Sequence, residues 1–430
     1  MSNPDTQIFT TRESEVRSYC RNWPVVFDTS SGPYQWTEDG ERYIDFFSGA
    51  GALNYGHNNP VLKEALLEYL ARDGVTHSMD MYTVAKRDFL ETFTELILAP
   101  RGMTHKIQFP GPTGTNAVET ALKTARKATG REDIVSFTNA FHGMTLGALA
   151  VTGNSFKRGG AGTPLYHATA APYDDYIDGE TSDFAWLKRI WADSSSGHAL
   201  PAAVIVETVQ GEGGLNAARG QWLKELQELC REHKVLLIID DVQAGCGRTG
   251  KFFSFEEYGL DPDIITISKS ISGYGLPMAL TLIKPEIDDW EPGEHNGTFR
   301  GHNPAFVTGT KALRTFWADD ELEKNVAARS EQQHARLELI AGLAEGSQVR
   351  GRGLLSGVAF RDLDAADQIA AAAFERGLMI ETSGSSDEVI KVMPPLTITE
   401  EQLAEGLDAL EDAAREVLGA PAREGATVSA

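Results

Sequence analysis

Four apolar runs of strand length recur through the middle of the chain, with helical stretches between several of them: IVSF at 134–137, AVIV at 203–206, VLLII at 235–239 and DIITIS at 263–268. Such runs lack polar alternation, so both faces of each strand must be covered, as in a parallel sheet and unlike a hairpin with one wet face. The covering elements are visible as well. Val118, Ala121, Leu122 and Ala125 repeat at spacings of three and four, as do Leu223, Leu226 and Cys230, so each helix offers one apolar stripe to a sheet. The expected fold class is α/β: a large domain with a mainly parallel, doubly wound sheet and right-handed crossovers.

At 430 residues the chain exceeds what one simple core usually serves, and a smaller satellite is expected. After about residue 320 the texture changes to helix (EKNVAARSEQQHARLELIAGLA), strand (GLLSGVAF), helix (DAADQIAAAAFERG), strand (LMIET) and a last helix. That helix opens with Thr399 and Gln402 at capping-box spacing and carries Leu403, Leu407, Leu410, Ala414 and Val417 along one stripe. The organisation read from this is an N-terminal segment at 1–55, including the hairpin-like YQWTEDGERYIDF, packing with the small domain; a large domain at 56–320; a small α+β domain at 321–418; and a flexible tail at 419–430.

The 62 acidic against 39 basic residues give a formal charge of −23, which repels phosphate backbones and anionic membrane surfaces, so neither nucleic acid nor membrane is an expected partner. A salt-rich cytoplasm would favour such a surface, but ordinary acidic enzymes share it. Cys20, Cys230 and Cys246 form no C-x-x-C pair, and the polar N-terminus has no apolar core. A reducing cytoplasm is the expected location.

Ligands of a doubly wound sheet sit beyond the carboxyl ends of its strands. IVSF leads to Phe141-His142-Gly143, AVIV to Glu207, Gln210 and Glu212, VLLII to Asp240, Asp241 and Gln243, and DIITIS to Lys269. Lys269 lies between an apolar strand and the glycine-rich SISGYG, where desolvation would favour the neutral amine that attacks a carbonyl; by position alone a solvated strand-end lysine is the better reading. Asp240 could keep a pyridinium nitrogen protonated, or simply cap a helix or turn. Gly114 and Thr115 precede a strongly periodic helix and could receive a phosphate at its positive end, or form an ordinary loop. Phe141 could stack on a ring or belong to the core. The histidines, His57 and His142 among them, show no metal-binding spacing, and no metal site is expected.

Taken together, GPTGTNAVETALKTAR, FTNAFHGMTLGAL, VETVQGEGG and LLIIDDVQAGCGRTGKFFSFEEYGLDPDIITISKSISGYGLPMAL resemble the class III, or ω-aminotransferase, family of fold type I pyridoxal 5'-phosphate enzymes. The resemblance covers nearly the whole chain. It implies a ping-pong transamination with Lys269 as the Schiff-base lysine, Asp240 on the pyridine nitrogen, Gln243 at the ring hydroxyl, Val242 and Phe141 on opposite ring faces, and Gly114 and Thr115 at the phosphate. Thr298, in GTFRGHNP, matches a threonine given to the neighbouring subunit's phosphate site, which implies a homodimer or a higher homo-oligomer.

Within the family, FPGPTGTNAVE, DDVQAGCGRTG and TISKSISGYGLPMAL resemble the branch serving ectoine formation. The implied reaction moves the amino group of glutamate onto aspartate 4-semialdehyde, giving 2,4-diaminobutyrate and 2-oxoglutarate, with a response to potassium. Ornithine-, acetylornithine- and 4-aminobutyrate-type members remain the rival reading, with a pyridoxal-binding regulator further off. Ornithine- and 4-aminobutyrate-type members carry arginine after the F-H-G turn, where this chain has Met144. They also carry arginine before the P-P-L segment, paired with the glutamate matching Glu212, where this chain has Lys391. Lysine supplies charge without a bidentate fork, so Glu212 and Lys391 are the expected substrate contacts, with an altered carboxylate geometry.

Overall fold

In the computed structural model, which describes residues 6–177 and 183–422, the four apolar runs lie side by side in one seven-stranded sheet. Its order is Lys106–Gln108, Leu280–Ile283, Ile264–Ile267, Leu236–Asp240, Ala203–Val206, Ile134–Phe137 and Ala168–Ala171. The five strands from Ile264–Ile267 to Ala168–Ala171 are parallel, and Leu280–Ile283 runs antiparallel to both of its neighbours. The strand expected at 235–239 is displaced by one residue, so that Asp240 is its last member, opposite Thr266.

Successive residues of these strands enter opposite cores. Val204, Val206, Leu237, Ile239, Ile265 and Ile267 pack with Leu223, Leu226 and Cys230 of the helix Gly220–His233. Ala203, Ile205, Ile238 and Ile264 pack with Val118, Ala121, Leu122 and Ala125 of the helix Gly114–Thr129. Each buried aliphatic side chain contributes about 1.5–3 kcal/mol, so the central strands are held from both sides, and what is polar in them gathers at their ends.

A second, antiparallel sheet runs Gln348–Arg352, Leu355–Ala359, Val389–Val392, Glu381–Ser383. A third joins Phe27–Ser31, Tyr34–Thr37 and Arg42–Asp45 to Leu378–Met379. The single strand expected at LMIET is therefore two. Leu378 and Met379 pair in parallel with Ile44 and Asp45, and Glu381–Ser383 pairs with Val389–Val392; strand-like composition records that a segment is extended but not how many ladders it joins. Ile44 and Phe46 share a core with Leu337, Ile340, Val358, Ile369, Val392, Leu403, Leu407 and Leu410.

The last helix, Glu400–Val417, has its capping box. Gln402 N donates to Thr399 Oγ1 at 3.3 Å and Thr399 N to Gln402 Oε1 at 3.1 Å. Of the expected flexible tail, residues 423–430 lie outside the described residues. No helix among the described residues is long and apolar enough to cross a membrane.

Gly406 packs against Phe46, the residue that follows the strand Arg42–Asp45: a Cβ there would stand 2.2 Å from Cζ of the fully buried Phe46. Alanine improves helix propensity by about 1 kcal/mol, but overpacking a filled core costs about 1–3 kcal/mol. Gly406→Ala should therefore lower the denaturation midpoint, and a midpoint at or above that of the parent would show that Phe46 can move aside.

Candidate active site

Asp240, at the end of the central strand Leu236–Asp240, is buried and held on both carboxylate oxygens. Thr266 Oγ1 donates to Oδ1 at 2.9 Å and Val242 N to the same atom at 3.2 Å. His142 Nδ1 lies 2.7 Å from Oδ2. Burial opposes the charged imidazole, but Asp240 outweighs it and raises the His142 pKa above its ordinary value. His142, unremarkable in sequence, thus fixes the orientation of Asp240. Beside it, burial pushes the Glu207 carboxyl up to about 8 against the pull of His142, and Glu207 Oε2 accepts a hydrogen bond from Phe141 N at 3.0 Å.

Lys269 follows the next strand, Ile264–Ile267, in a left-handed conformation with φ of 52°, which costs a non-glycine residue about 1–3 kcal/mol. That backbone turn sends the side chain across the sheet's end, where Nζ donates to Ala50 O at 2.7 Å. Ala50 belongs to the positive-φ run Ser48, Gly49, Ala50, Gly51, and its carbonyl also accepts from Gln243 Nε2 at 3.1 Å. Burial pushes the Lys269 ammonium down to about 8, with Glu212 opposing.

A charge cluster closes the other side. Lys391, in the strand Val389–Val392, has a side chain with no exposure, and its Nζ lies 2.7 Å from Glu212 Oε1 and 2.9 Å from Glu381 Oε1. Glu381 sits directly across the ladder from Lys391. Burial raises the Glu381 carboxyl to about 7 although Lys391 opposes it. In Glu212, by contrast, the attraction of Lys391 and Lys269 overcomes burial and holds the carboxyl near 2. Sequence reading paired Lys391 with Glu212 and missed Glu381. The signal was a lone acid in LMIET and a lone lysine in VIKV, each in an otherwise apolar stretch.

Gly114, Thr115, Phe141, Asp240, Val242, Gln243, Lys269 and Glu212 all line one cavity of about 300 Å³, with His142, Met144 and Glu207. Lys391 stands behind Glu212. Thr298 is outside this set; it is exposed, and its carbonyl lies 2.6 Å from His77 Nε2.

The donor set suits pyridoxal 5'-phosphate. Gly114 and Thr115 open the helix Gly114–Thr129, whose first N–H groups lack intrahelical acceptors and favour an anion. A Cβ on Gly114 would come within 2.9 Å of Val242 Cγ1, so only glycine keeps that edge clear. Buried Gln243 Oε1 has no hydrogen-bond partner among the described residues, a vacant acceptor for a ring hydroxyl. Asp240 and Lys269 supply the acid and the amine.

With its pKa near 8, roughly a quarter of the Lys269 amine is neutral at pH 7.5, against about one part in a thousand for an ordinary lysine. Only the neutral amine attacks an aldehyde, so the rate at which cofactor-free protein takes up pyridoxal phosphate should climb with pH and level off above about 8. A rate still climbing steeply at pH 10 would place the lysine at its ordinary value.

Residues 17–414 match the family described as Aminotransferase class-III. The chain is 63% identical over 419 residues to the diaminobutyrate--2-oxoglutarate transaminase of Streptomyces avermitilis, covering 97% of this chain and 99% of that one. It is 61% identical over 413 residues to the protein of the same name from Nocardia farcinica, covering 96% and 95%. Its fold superposes on an S-selective transaminase from Arthrobacter sp. with a TM-score of 0.84 at 23% identity, over 96% of this chain and 98% of that one. The pocket at the strand ends, with its half-buried lysine and buried acid, is therefore that of a chain belonging to the class III aminotransferases.

Proposed function

We propose that the chain is a diaminobutyrate--2-oxoglutarate transaminase, moving the amino group of glutamate onto aspartate 4-semialdehyde and releasing 2-oxoglutarate and 2,4-diaminobutyrate. The proposal includes the role in ectoine formation. Full-length relatives bear this activity in their names, and the site feature that supports it is Lys391 buried between two carboxylates.

The two amino donors make opposite demands on one pocket. Glutamate carries a carboxylate on its reacting carbon, and the γ-carbon of diaminobutyrate carries none. When Glu212 holds Lys391, the local charge is balanced and suits a donor without that carboxylate. When Glu212 turns away, the Lys391 ammonium is free to meet the carboxylate of glutamate, and Glu381 still compensates it from the other side. A compact ammonium can exchange such partners without the planar matching that a guanidinium fork imposes.

When bound, pyridoxal phosphate supplies an aldehyde that takes the amino group and a ring that withdraws the electron pair of the broken C–H bond. Asp240, clamped by His142 and Thr266, keeps a proton on the ring nitrogen. Phe141 and Val242 hold the two ring faces, Gln243 its hydroxyl, and the amides at Gly114 and Thr115 its phosphate. Lys269 Nζ, released from its bond to Ala50 O, would take the proton from the substrate's reacting carbon and return it two atoms away, on the far side of the transferred nitrogen.

The working unit is a homodimer. Met79, Met81, Tyr82 and Val84 are exposed along one segment, and Phe299 is exposed beside Thr298. The two stretches are joined by Ser78 N donating to Gly301 O at 2.9 Å. A contiguous apolar patch of this kind suits a second copy of the chain, which would bring Thr298 to the neighbouring phosphate.

Removing the exchangeable partner tests the site. Glu212→Gln should reduce kcat/KM of the diaminobutyrate half-reaction roughly 10- to 100-fold, the effect of losing one charged hydrogen bond, while the glutamate half-reaction changes by less than about threefold; equal losses would sink the switch. Tyr82→Asp should shift the protein toward monomer in sedimentation and weaken cofactor retention together, and a tightly loaded monomer would remove the partner from the phosphate site.

A further inference from the structure

Lys391 can meet only one carboxylate, the one on the reacting carbon of glutamate. Both donors carry another. In glutamate the side-chain carboxyl carbon is the third carbon from the reacting centre, and in diaminobutyrate the main-chain carboxyl carbon is likewise the third from the reacting γ-carbon. A single cation at that depth would serve both half-reactions, and Met144 at the cavity wall offers no charge for the purpose.

Lys157 stands beside this cavity, against the Phe141 ring that lines it, without itself being one of the lining residues. It belongs to the short helix Ser155–Gly159, and its Nζ stands 4.3 Å from the centroid of the Phe141 ring. It makes no ion pair among the described residues, unlike Lys391. Its backbone is fixed: Lys157 N donates to Asn154 Oδ1 at 3.0 Å, and Arg158 Nη1 donates to the carbonyls of Leu149, Ala150 and Thr152 at 3.1, 2.8 and 2.9 Å. The Lys157 charge also acts on the carboxyl groups of Glu212 and Asp387, so the ammonium lies within electrostatic reach of the cavity-lining Glu212.

We propose that Lys157, standing over Phe141, binds the remote carboxylate of the substrate in both half-reactions and so sets the chain length that the enzyme accepts. The inference rests on the transamination proposed above. An ammonium resting on an aromatic face is held more weakly than one hydrogen-bonded to a carboxylate, so the arriving substrate displaces the ring contact and keeps the lysine. Division of labour follows: Lys157 reads what the two donors share, and Lys391 reads what distinguishes them.

The test uses the cofactor-loaded enzyme and its Lys157→Met and Lys157→Arg variants, with half-reactions followed by cofactor absorbance. Four amines are compared: glutamate, diaminobutyrate, and their counterparts lacking the remote carboxylate, 2-aminobutyrate and 1,3-diaminopropane. Lys157→Met should lose roughly 10- to 100-fold in kcat/KM for both carboxylate-bearing donors, the effect of one charged hydrogen bond, mainly through KM. Rates with 2-aminobutyrate and 1,3-diaminopropane should stay within about twofold, and Lys157→Arg should recover most of the loss. An equal loss with all four amines would mark a structural lysine, and no loss with any would mark a surface one; either overturns the proposal. If the parent enzyme takes glutamate but not diaminobutyrate, the proposed reaction fails instead, and the pair glutamate and 2-aminobutyrate still decides the role of Lys157.

Discussion

A sheet covered on both faces leaves its polar chemistry only one place to stand. The strands Ala203–Val206, Leu236–Asp240 and Ile264–Ile267 are apolar on both sides, and their buried residues divide between two cores. An ionised group in the middle of such a strand would be stranded in a low dielectric at a cost of several kcal/mol. At the strand's end the same group meets loops, helix termini and the carbonyls of other segments. Asp240 ends one strand and Lys269 follows its parallel neighbour, so their proximity follows from sheet order. The remainder of the site is built to accommodate them: His142 and Thr266 on the acid, the left-handed loop through Ala50 on the amine.

The cluster around Lys391 obeys the same electrostatics by a different route. Its ammonium is fully buried, so it requires compensation, and a single carboxylate that leaves during the reaction would expose it to the whole desolvation cost. Glu381 removes that difficulty because it sits opposite Lys391 in the ladder and does not have to move. With both acids ionised the trio would carry an excess negative charge in a buried place. Burial therefore raises Glu381 to about 7 while Glu212 is held near 2. Glu381, fixed across the ladder, can take up a proton, and Glu212 remains an anion.

Much of this was legible in the sequence, and what was hidden has a common cause. Unbroken apolar runs disclosed the central strands, and spacings of three and four disclosed the helices that cover them. The strand Lys106–Gln108 escaped because it is short and partly exposed at the sheet's edge, where no apolar pattern is required. Residues whose roles depend on a distant partner escaped for the same kind of reason. His142 and Asp240 are 98 positions apart, and nothing near His142 says that its ring faces an acid. The Ala50 carbonyl has no side-chain signature at all; its part is set by four successive residues of positive φ, Ser48 to Gly51, of which only the two glycines adopt that conformation cheaply.

Two lysines where a bidentate group might be looked for give the pocket a different logic from one built on guanidinium forks. A fork rewards a carboxylate arriving in its own plane and penalises any other approach. An ammonium has three rotatable donors and little directional demand, so it can hold a resident glutamate in one half of a cycle and a substrate carboxylate in the other. Geometric selectivity is given up in exchange, and it must be recovered elsewhere. On the proposed reading the walls recover it: Phe141 and Val242 would fix the plane in which the reacting carbon lies, and the spacing between the ammonium groups of Lys391 and Lys157 would fix how far a second carboxylate can lie from the first. Under that proposal selectivity is a matter of separation along the substrate chain, set by two point charges on fixed elements, the ladder strand Val389–Val392 and the helix Ser155–Gly159.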